Sequence, residues 1–200
     1  MPFVGACRSG TWHDGAVLGK LATEVATDRP DLLAAPVVTA LHAWSGPGPV
    51  SDVLVAPIDP ELADTAAFCA AYDVGLDVSA NCVVVAGKRE GETRYAACLI
   101  LATTRADVNT TVRRLLDVRK ASFAAMAEAV ELTGMEYGGI TPIGLPPQWP
   151  VFVDAAVAAA PAVVIGSGIR ASKIVLPGAA LAGLPGATVV EGLGLAVPTV

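Results

Sequence analysis

Apolar and polar positions alternate most clearly near the middle of the chain, on both sides of a short charged turn. Residues 81–87 read NCVVVAG, residues 93–103 read TRYAACLILAT, and KREGE joins them. Two runs of this composition around a glycine-containing turn predict a β-hairpin. Shorter apolar runs predict further strands at residues 51–58, 151–155, 161–168, 172–178 and 187–193.

Helical spacing of apolar residues is found in several segments between these strands. Capping side chains indicate three helix starts, at Asp59 followed by Pro60, at Asp107 and at Ser122. The predicted helices cover residues 15–28, 30–44 with a break or bend near Pro36, 61–73, 108–118, 123–132 and 179–184.

This order of elements has no regular βαβ repeat, so it indicates an α/β (α+β) domain around one mixed sheet. The 200 residues are enough for one domain with its own core. We expect residues 1–45 to form a mostly helical N-terminal extension and residues 46–200 to form the main domain.

Composition narrows the class of protein. Hydrophobic residues make up 54% of the chain, but prolines interrupt the most apolar region, residues 174–200, so no membrane-spanning helix is predicted. The N-terminus has no features of a secretion signal, and a cytoplasmic location is expected by default. The cysteines show no C-x-x-C spacing and are expected to be reduced residues in or near the core, namely Cys7, Cys69, Cys82 and Cys98.

Charge is unevenly distributed along the chain. The net charge of −6 argues against a DNA-binding protein, yet the segment from Lys88 to Lys120 contains eight of the thirteen basic residues and only four acidic ones. This segment carries +4 and the remainder −10. It is either a solvated face with a charged hairpin tip or a local anion-binding surface.

Two glycine-bearing loops are the remaining candidates for a site. His13 and His42 are far apart and lack suitably spaced carboxylates, so neither a metal site nor a Ser-His-Asp triad is predicted. Nucleotide-binding signatures are missing as well, and no cofactor is predicted. YGGITPIG (137–144) and IGSGIR (165–170) can present bare backbone groups to a ligand, although GGITPIG taken alone is more simply a turn that positions the next strand.

Four runs together resemble a known family. ELTG, YGGITPIG, VFVDA and VVIGSGIRASKIVL occur in this order, and APIDPELADT and the hairpin precede them. The pattern is similar to the YbaK-type aminoacyl-tRNA deacylases, which include the editing domain associated with prolyl-tRNA synthetase. The resemblance covers about residues 50–190 and leaves the first 45 residues unmatched.

The resemblance implies a mixed, partly barrel-like β-sheet flanked by helices and a trans-editing activity that hydrolyses the ester of misacylated tRNA. It implies that the G-x-x-x-P loop shapes the amino-acid pocket and helps to position water. This loop corresponds to Gly138, Gly139, Ile140, Thr141 and Pro142. The second loop implies Gly166, Ser167 and Gly168 as residues that line the pocket.

One position departs from the family pattern. Family members carry a lysine at the start of the first hairpin strand, where this chain has Asn81. An amide hydrogen-bonds but supplies no positive charge, so Arg119, Lys120 and Arg170 are the candidates to supply it. If the family geometry survives, Asn81→Lys is expected to raise activity.

Two functions stay open at this stage. In the first, the chain is a deacylase whose basic segment contacts the acceptor end of tRNA. In the second, it is a non-catalytic module of the same fold that binds an amino acid, a nucleotide or a tRNA end. The oligomeric state stays open.

Overall fold

The structure is a computed structural model that describes residues 19–197. Within these residues the chain forms eleven strands, six α-helices, four short 3-10 helices and one π-helical segment, Val108–Val112. The strands are β1 Glu24–Val25, β2 Leu54–Pro57, β3 Ala80–Arg89, β4 Glu92–Leu101, β5 Thr104–Ala106, β6 Ala121–Phe123, β7 Val151–Asp154, β8 Val163–Gly166, β9 Ser172–Leu176, β10 Ala187–Val190 and β11 Gly194–Ala196. The helices are α1 Ala35–His42, α2 Thr65–Tyr72, α3 Arg113–Leu115, α4 Met126–Thr133, α5 Ala155–Ala159 and α6 Gly178–Ala182.

The strands are divided among open sheets rather than gathered into one. A four-stranded antiparallel sheet has the order β1-β2-β9-β8, and a five-stranded sheet has the order β10-β7-β4-β3-β6. In the second sheet β7 is parallel to both β10 and β4, whereas β3 is antiparallel to β4 and β6. β11 pairs with β5 in a separate ribbon. The α/β fold class is therefore confirmed.

The two larger sheets meet where β3 begins. Ser79 forms a parallel bridge with Val164 of β8, and the Val164 N–H donates to the carbonyl of Val78 over 2.8 Å. The edge of one sheet thus continues into the start of the other. This junction positions the candidate site described below.

Most strands lie where the patterning predicts them. The hairpin of β3 and β4 turns at Glu90 and Gly91, both with positive φ, as a two-residue turn requires. The strands predicted from the later apolar runs are confirmed as β7, β8, β9 and β10. β7, β8 and β9 are buried along their whole length, and strands covered on both faces produce such continuous apolar runs.

The helix predictions are less accurate. Asp107 is a helix cap as predicted, because it accepts hydrogen bonds from the N–H groups of Thr110 and Thr111. The segment it caps is the π-helical Val108–Val112, which leads into α3. Ser122 does not cap a helix, because it pairs with Ala86 in β6, and α4 begins only at Met126. The helix predicted at 30–44 is broken near Pro36, since a 3-10 turn covers Pro30–Leu32 and α1 begins only at Ala35. Pro36 lies in the first turn of α1, where its missing N–H costs nothing.

Two further helix predictions need correction. The helix predicted at 15–28 is wrong over the described residues 19–28, which form β1 and a 3-10 turn at Ala26–Asp28. The helix predicted at 61–73 is divided. Asp59 caps a 3-10 turn at Pro60–Leu62, and α2 starts separately at Thr65. The break leaves the Ala63 carbonyl free to accept a hydrogen bond from another element.

Residues before the predicted boundary at 45 pack into the main core. Leu33, Val37 and Leu41 are buried against β-strand residues such as Val55 and Ile174. The division into 1–45 and 46–200 stays a prediction. No helix within residues 19–197 is long and apolar enough to cross a membrane.

Candidate active site

The two glycine loops pack directly against each other. The Gly168 N–H donates to the Gly139 carbonyl over 2.7 Å, and the Glu136 N–H donates to the Gly168 carbonyl over 2.8 Å. A Cβ on Gly139 would lie 2.6 Å from the Ile169 carbonyl oxygen, and one on Gly166 would lie 2.7 Å from that of Ile140. Glycine is therefore required at these positions for close backbone approach.

A cavity of about 620 Å³ opens beside this loop pair. Its walls come from the start of β3, the ends of β8 and β9, the turn before α2, the start of α4 and β5. It lies at the junction where the two larger sheets meet. Both apolar side chains and polar backbone groups face it, which is typical of sites for small ligands.

The residues predicted as catalytic divide into two groups. Gly138 and Ile140 line the cavity. Gly139, Thr141 and Pro142 are buried and are not among the lining residues. Within the described residues, the N–H groups of Gly138 and Ile140 donate no hydrogen bond to another backbone group. These two N–H groups are therefore available as donors to a ligand.

The second loop contributes less than the resemblance implies. Gly166 lines the cavity, and it pairs with Lys173 across β8 and β9. Ser167 is fully buried, and its Oγ lies 2.7 Å from that of Ser172. The Gly168 φ of 87° permits the turn, and a Cβ there would press on Ala34. Ser167 and Gly168 thus hold the loop in position.

Asn81 lines the cavity at the start of β3. Its Oδ1 accepts a hydrogen bond of 2.7 Å from Thr65 Oγ1, at the N-terminus of α2. This bond orients the amide and leaves its NH2 group as a donor.

Of the three predicted cations, Arg170 is the one whose guanidinium lies beside the first glycine loop. A Cβ on Gly138 would lie 2.7 Å from its Nη1. The guanidinium donates to the carbonyls of Pro60 and Tyr137 over 3.0 and 3.4 Å and lies 3.8 Å from the Asp64 carboxylate. Arg170 therefore braces three loops, and its charge is partly balanced.

The other two predicted cations lie elsewhere. Arg119 and Lys120 are exposed just before β6 and are not among the residues that line the cavity. Val84 lines the cavity and Lys88 lies four positions further along β3, so the basic surface at the hairpin tip is about 13 Å away. Arg89 and Arg94 there form ion pairs with Asp117.

A lysine that sequence reasoning missed supplies a cation inside the cavity. Lys173 of β9 lines the cavity and is only 7% exposed. Its Nζ donates to the Ala63 carbonyl over 3.0 Å and lies 5.2 Å from the centre of the Phe68 ring. An ammonium has three donors, and one serves the carbonyl. The sequence feature that could have indicated this residue is a single charged side chain within the otherwise apolar run SKIVL.

The environment of Lys173 favours the loss of its proton. Burial is the main cause that lowers the pKa of Lys173 below its usual range, and the Arg170 charge lowers it further. Asp64 and Cys69 act in the opposite direction. A cation held in such a site interacts strongly with any negative charge that enters the cavity.

Among residues 19–197, the thiol and imidazole groups do not add a nucleophile or a base to the cavity. Cys82 lines the cavity, but burial raises the pKa of its thiol far above the usual range, so the reactive thiolate is absent near neutral pH. Burial also raises the pKa of Cys98 to about 12. His42 is exposed at the end of α1, while His13 and Cys7 lie outside the described residues. Within residues 19–197 no group of side chains is arranged to hold a metal.

Comparison with known proteins gives one family and several similar folds. Residues 59–184 match the sequence model of a family described as the aminoacyl-tRNA editing domain. A candidate trans-editing enzyme for prolyl tRNA synthetase is 21% identical, with a TM-score of 0.65 over 78% of this chain and 93% of that chain. A search of curated proteins gave no match.

Two other solved structures share the fold. One comes from work on epitope grafting onto scaffold proteins and is 20% identical, with a TM-score of 0.65 over 81% of this chain and 96% of that chain. The other is a hypothetical protein that is 23% identical, with a TM-score of 0.60 over 72% of this chain and 90% of that chain.

Proposed function

The chain belongs to the aminoacyl-tRNA editing domain family, and we propose that it hydrolyses the ester of a misacylated tRNA in the cavity beside its two glycine loops. Membership of this family favours a deacylase over a non-catalytic binding module. The observation that carries the proposal for the site is the buried Lys173 ammonium, which faces the same cavity as Gly138, Asn81 and Gly166.

The proposed reaction is attack of water on the ester carbonyl. The water oxygen bonds to the carbonyl carbon, the bond to the ribose oxygen breaks, and one water proton goes to that oxygen. The products are the free amino acid and a tRNA with an intact terminal hydroxyl. Because negative charge develops on the carbonyl oxygen, donors aimed at it lower the barrier.

Three sets of donors fit this requirement. The ammonium of Lys173 supplies charge, the N–H groups of Gly138 and Ile140 supply backbone donors, and the Asn81 amide supplies a neutral donor. No side chain has to act as a nucleophile, because an aminoacyl ester is reactive once water is held close to the carbonyl. Lys173 thus provides from β9 the positive charge that Asn81 lacks on β3.

The tRNA contact is proposed at the basic surface near the hairpin tip. Lys88, Arg114, Arg119 and Lys120 are exposed, and phosphate groups are their natural partners. An acceptor stem on this surface would be about 13 Å from the cavity, a distance that a few unpaired nucleotides span. A cytoplasmic location stays a prediction that agrees with this substrate.

A deacylation screen tests the function. Purified full-length chain is incubated with tRNAs carrying different mismatched amino acids, and release of the amino acid is measured against buffer. We expect at least one tRNA to be cleared well above the buffer rate by the wild type and not by Lys173→Met. Lys20→Met, which removes an exposed lysine outside the cavity, is the matched control. Buffer-level rates for every tRNA would contradict the proposal.

A further inference from the structure

Exposed apolar side chains are concentrated at the mouth of the cavity. Among the described residues, the three most exposed large hydrophobic side chains are Phe123, Tyr137 and Met126, at 61%, 56% and 55%. All three line the cavity. Large apolar side chains that are exposed together in one patch usually mark a binding surface, whereas single exposed apolar residues are common on any protein.

These side chains come from separate elements. Phe123 ends β6, an edge strand, Met126 begins α4, and Tyr137 starts the YGGITPIG loop. The Tyr137 carbonyl accepts a hydrogen bond from Arg170, so the loop backbone is held in place beside the cavity. We call these three residues, two aromatic side chains and one methionine, the aromatic rim.

The charges around the rim favour an anionic partner. Arg105 of β5 is exposed and lines the same cavity, and Lys173 lies deeper within it. The acidic group on the lining is Asp64, whose carboxylate lies 3.8 Å from the Arg170 guanidinium and is partly neutralised. An aromatic surface next to an arginine is the arrangement that binds single-stranded nucleic acid.

The rim also continues from the basic surface. Lys120 precedes Phe123 by three residues, about 10 Å of extended chain, and β6 joins the two positions. A nucleic acid whose phosphates contact Arg119 and Lys120 would therefore direct its next nucleotides over the rim before it enters the cavity.

We propose that the aromatic rim stacks the unpaired nucleobases next to the esterified ribose of the tRNA 3′ end, while Arg105 contacts their phosphates. This inference rests on the proposed function, because it assigns the substrate's end to the cavity mouth. Stacking on an aromatic side chain is tolerant of base identity, so the rim binds the unpaired end without selecting its sequence.

The test measures binding without catalysis. Uncharged RNA hairpins with an unpaired 3′ tail are titrated into the full chain, using a normal tail and a tail of equal length with abasic sugars. Both carry the same phosphates, so their difference reports the bases alone. We expect the normal tail to bind about tenfold more tightly. We expect Phe123→Ala with Tyr137→Ala to remove this difference.

Leu132→Ala is the matched control, because Leu132 is an exposed apolar residue that does not line the cavity. It should keep the tenfold difference. Equal affinity of the wild type for the two tails, or no binding of either, would overturn the inference, as would a double variant that still distinguishes them. The two proposals can fail separately. Base-dependent binding without deacylation would contradict only the proposed deacylase function. Deacylation without base-dependent binding would contradict only the proposed stacking of nucleobases on the aromatic rim.

Discussion

Lys173 is the residue whose position is most difficult to explain by stability. Burial of an ammonium is costly unless partners replace its water, and within the described residues Lys173 has one carbonyl acceptor and one aromatic face. An apolar residue of the same length would suit the neighbouring Phe68 and Val175 better. A charge kept in such a place is typical of a functional site.

Replacement of Lys173 should therefore separate activity from stability. We expect Lys173→Met to lower kcat by about 10²- to 10³-fold, the usual loss when one donor to a developing oxyanion is removed. The free energy of unfolding should stay within about 2 kcal/mol of the wild type, since the buried charge and one hydrogen bond are lost together. Single-turnover deacylation and urea unfolding measure the two quantities.

A second substitution tests whether Lys173 on β9 replaces the lysine that family members carry at the position of Asn81 on β3. Asn81→Lys in the Lys173→Met background should recover part of the lost activity, because both positions line one cavity. Asn81→Lys alone should give little gain or a loss, since two ammonium groups in one cavity repel. This revises the simple expectation of a gain from Asn81→Lys. A double variant as inactive as Lys173→Met would speak against the exchange.

The pH dependence reports which form of Lys173 acts. If the ammonium stabilises the transition state, the enzymatic rate corrected for buffer hydrolysis should fall as pH rises through the lowered pKa of Lys173, below the usual lysine range. A rate that rises through the same pKa would instead indicate that the neutral amine acts as a base. The profile of Lys173→Met should lack this transition.

Stability should change with pH in the opposite direction. The pKa of Lys173 is lower in the folded chain, so between the folded and unfolded pKa values the unfolded chain binds more protons. The wild type should therefore gain stability relative to Lys173→Met as pH rises through that window.

At the scale of elements, the two glycine loops form one unit. The hydrogen bonds of Gly168 and Glu136 join the loops, and α1 supports them from behind, where the Ala34 N–H donates to the Ser167 carbonyl over 3.2 Å. A Cβ on Gly144 would lie 2.5 Å from the Pro36 carbonyl oxygen. The glycines thus serve close packing more than open access to a substrate, which changes the simplest interpretation of GGITPIG.

Gly166→Ala tests this packing. We expect a loss of about 2–3 kcal/mol in the free energy of unfolding, because the new methyl group would press on the Gly139 and Ile140 carbonyls. Deacylation should fall as well, since Ile140 and Gly138 would shift together. Gly75→Ala is the control, because its methyl group would press only on the exposed Asp77 side chain, which can rotate away, and would meet Val78 at an ordinary contact distance of 3.5 Å. Chemical unfolding that gave equal losses for both variants would contradict the packing argument.

At the scale of the whole molecule, the segment before residue 45 takes part in the main core. Leu41 is 2% exposed and Val37 fully buried, and both pack with strand residues of the antiparallel sheet. β1 also pairs with β2 and extends that sheet. The region that the family resemblance leaves unmatched is therefore expected to be needed for folding.

A truncation tests this expectation directly. The fragment 46–200 should lose the cooperative thermal unfolding of the full chain, because a set of buried side chains is removed. In the full chain, Leu41→Ala should cost about 2–5 kcal/mol, whereas Thr39→Ala on the exposed side of α1 should cost under about 1 kcal/mol. A fragment that unfolds at the temperature of the full chain would show that residues 1–45 are a separable extension.

The sequence by itself determined the local features, namely the hairpin of β3 and β4, the later strands and the cap at Asp107. Each depends on neighbouring residues, whose period and hydrogen-bonding groups are visible in the order of the letters. The family resemblance is confirmed for the same reason, since its motifs are short contiguous runs. Ser122 was wrongly predicted as a helix cap, because a serine in an exposed strand cannot be told from a capping serine until its pairing with another strand is known.

Only the tertiary structure decided which distant residues share the cavity. Asn81, Gly138 and Lys173 come from three separate parts of the chain. Strand pairing brings Asn81 and Lys173 together, and the packing of the two glycine loops adds Gly138. The sequence indicated Arg119, Lys120 and Arg170 as replacement cations, yet the cavity receives Lys173 from an apolar strand. The residues next to Lys173 in the sequence do not identify it as part of a site. Its role depends on the face of β9 that it occupies and on the junction of the two sheets.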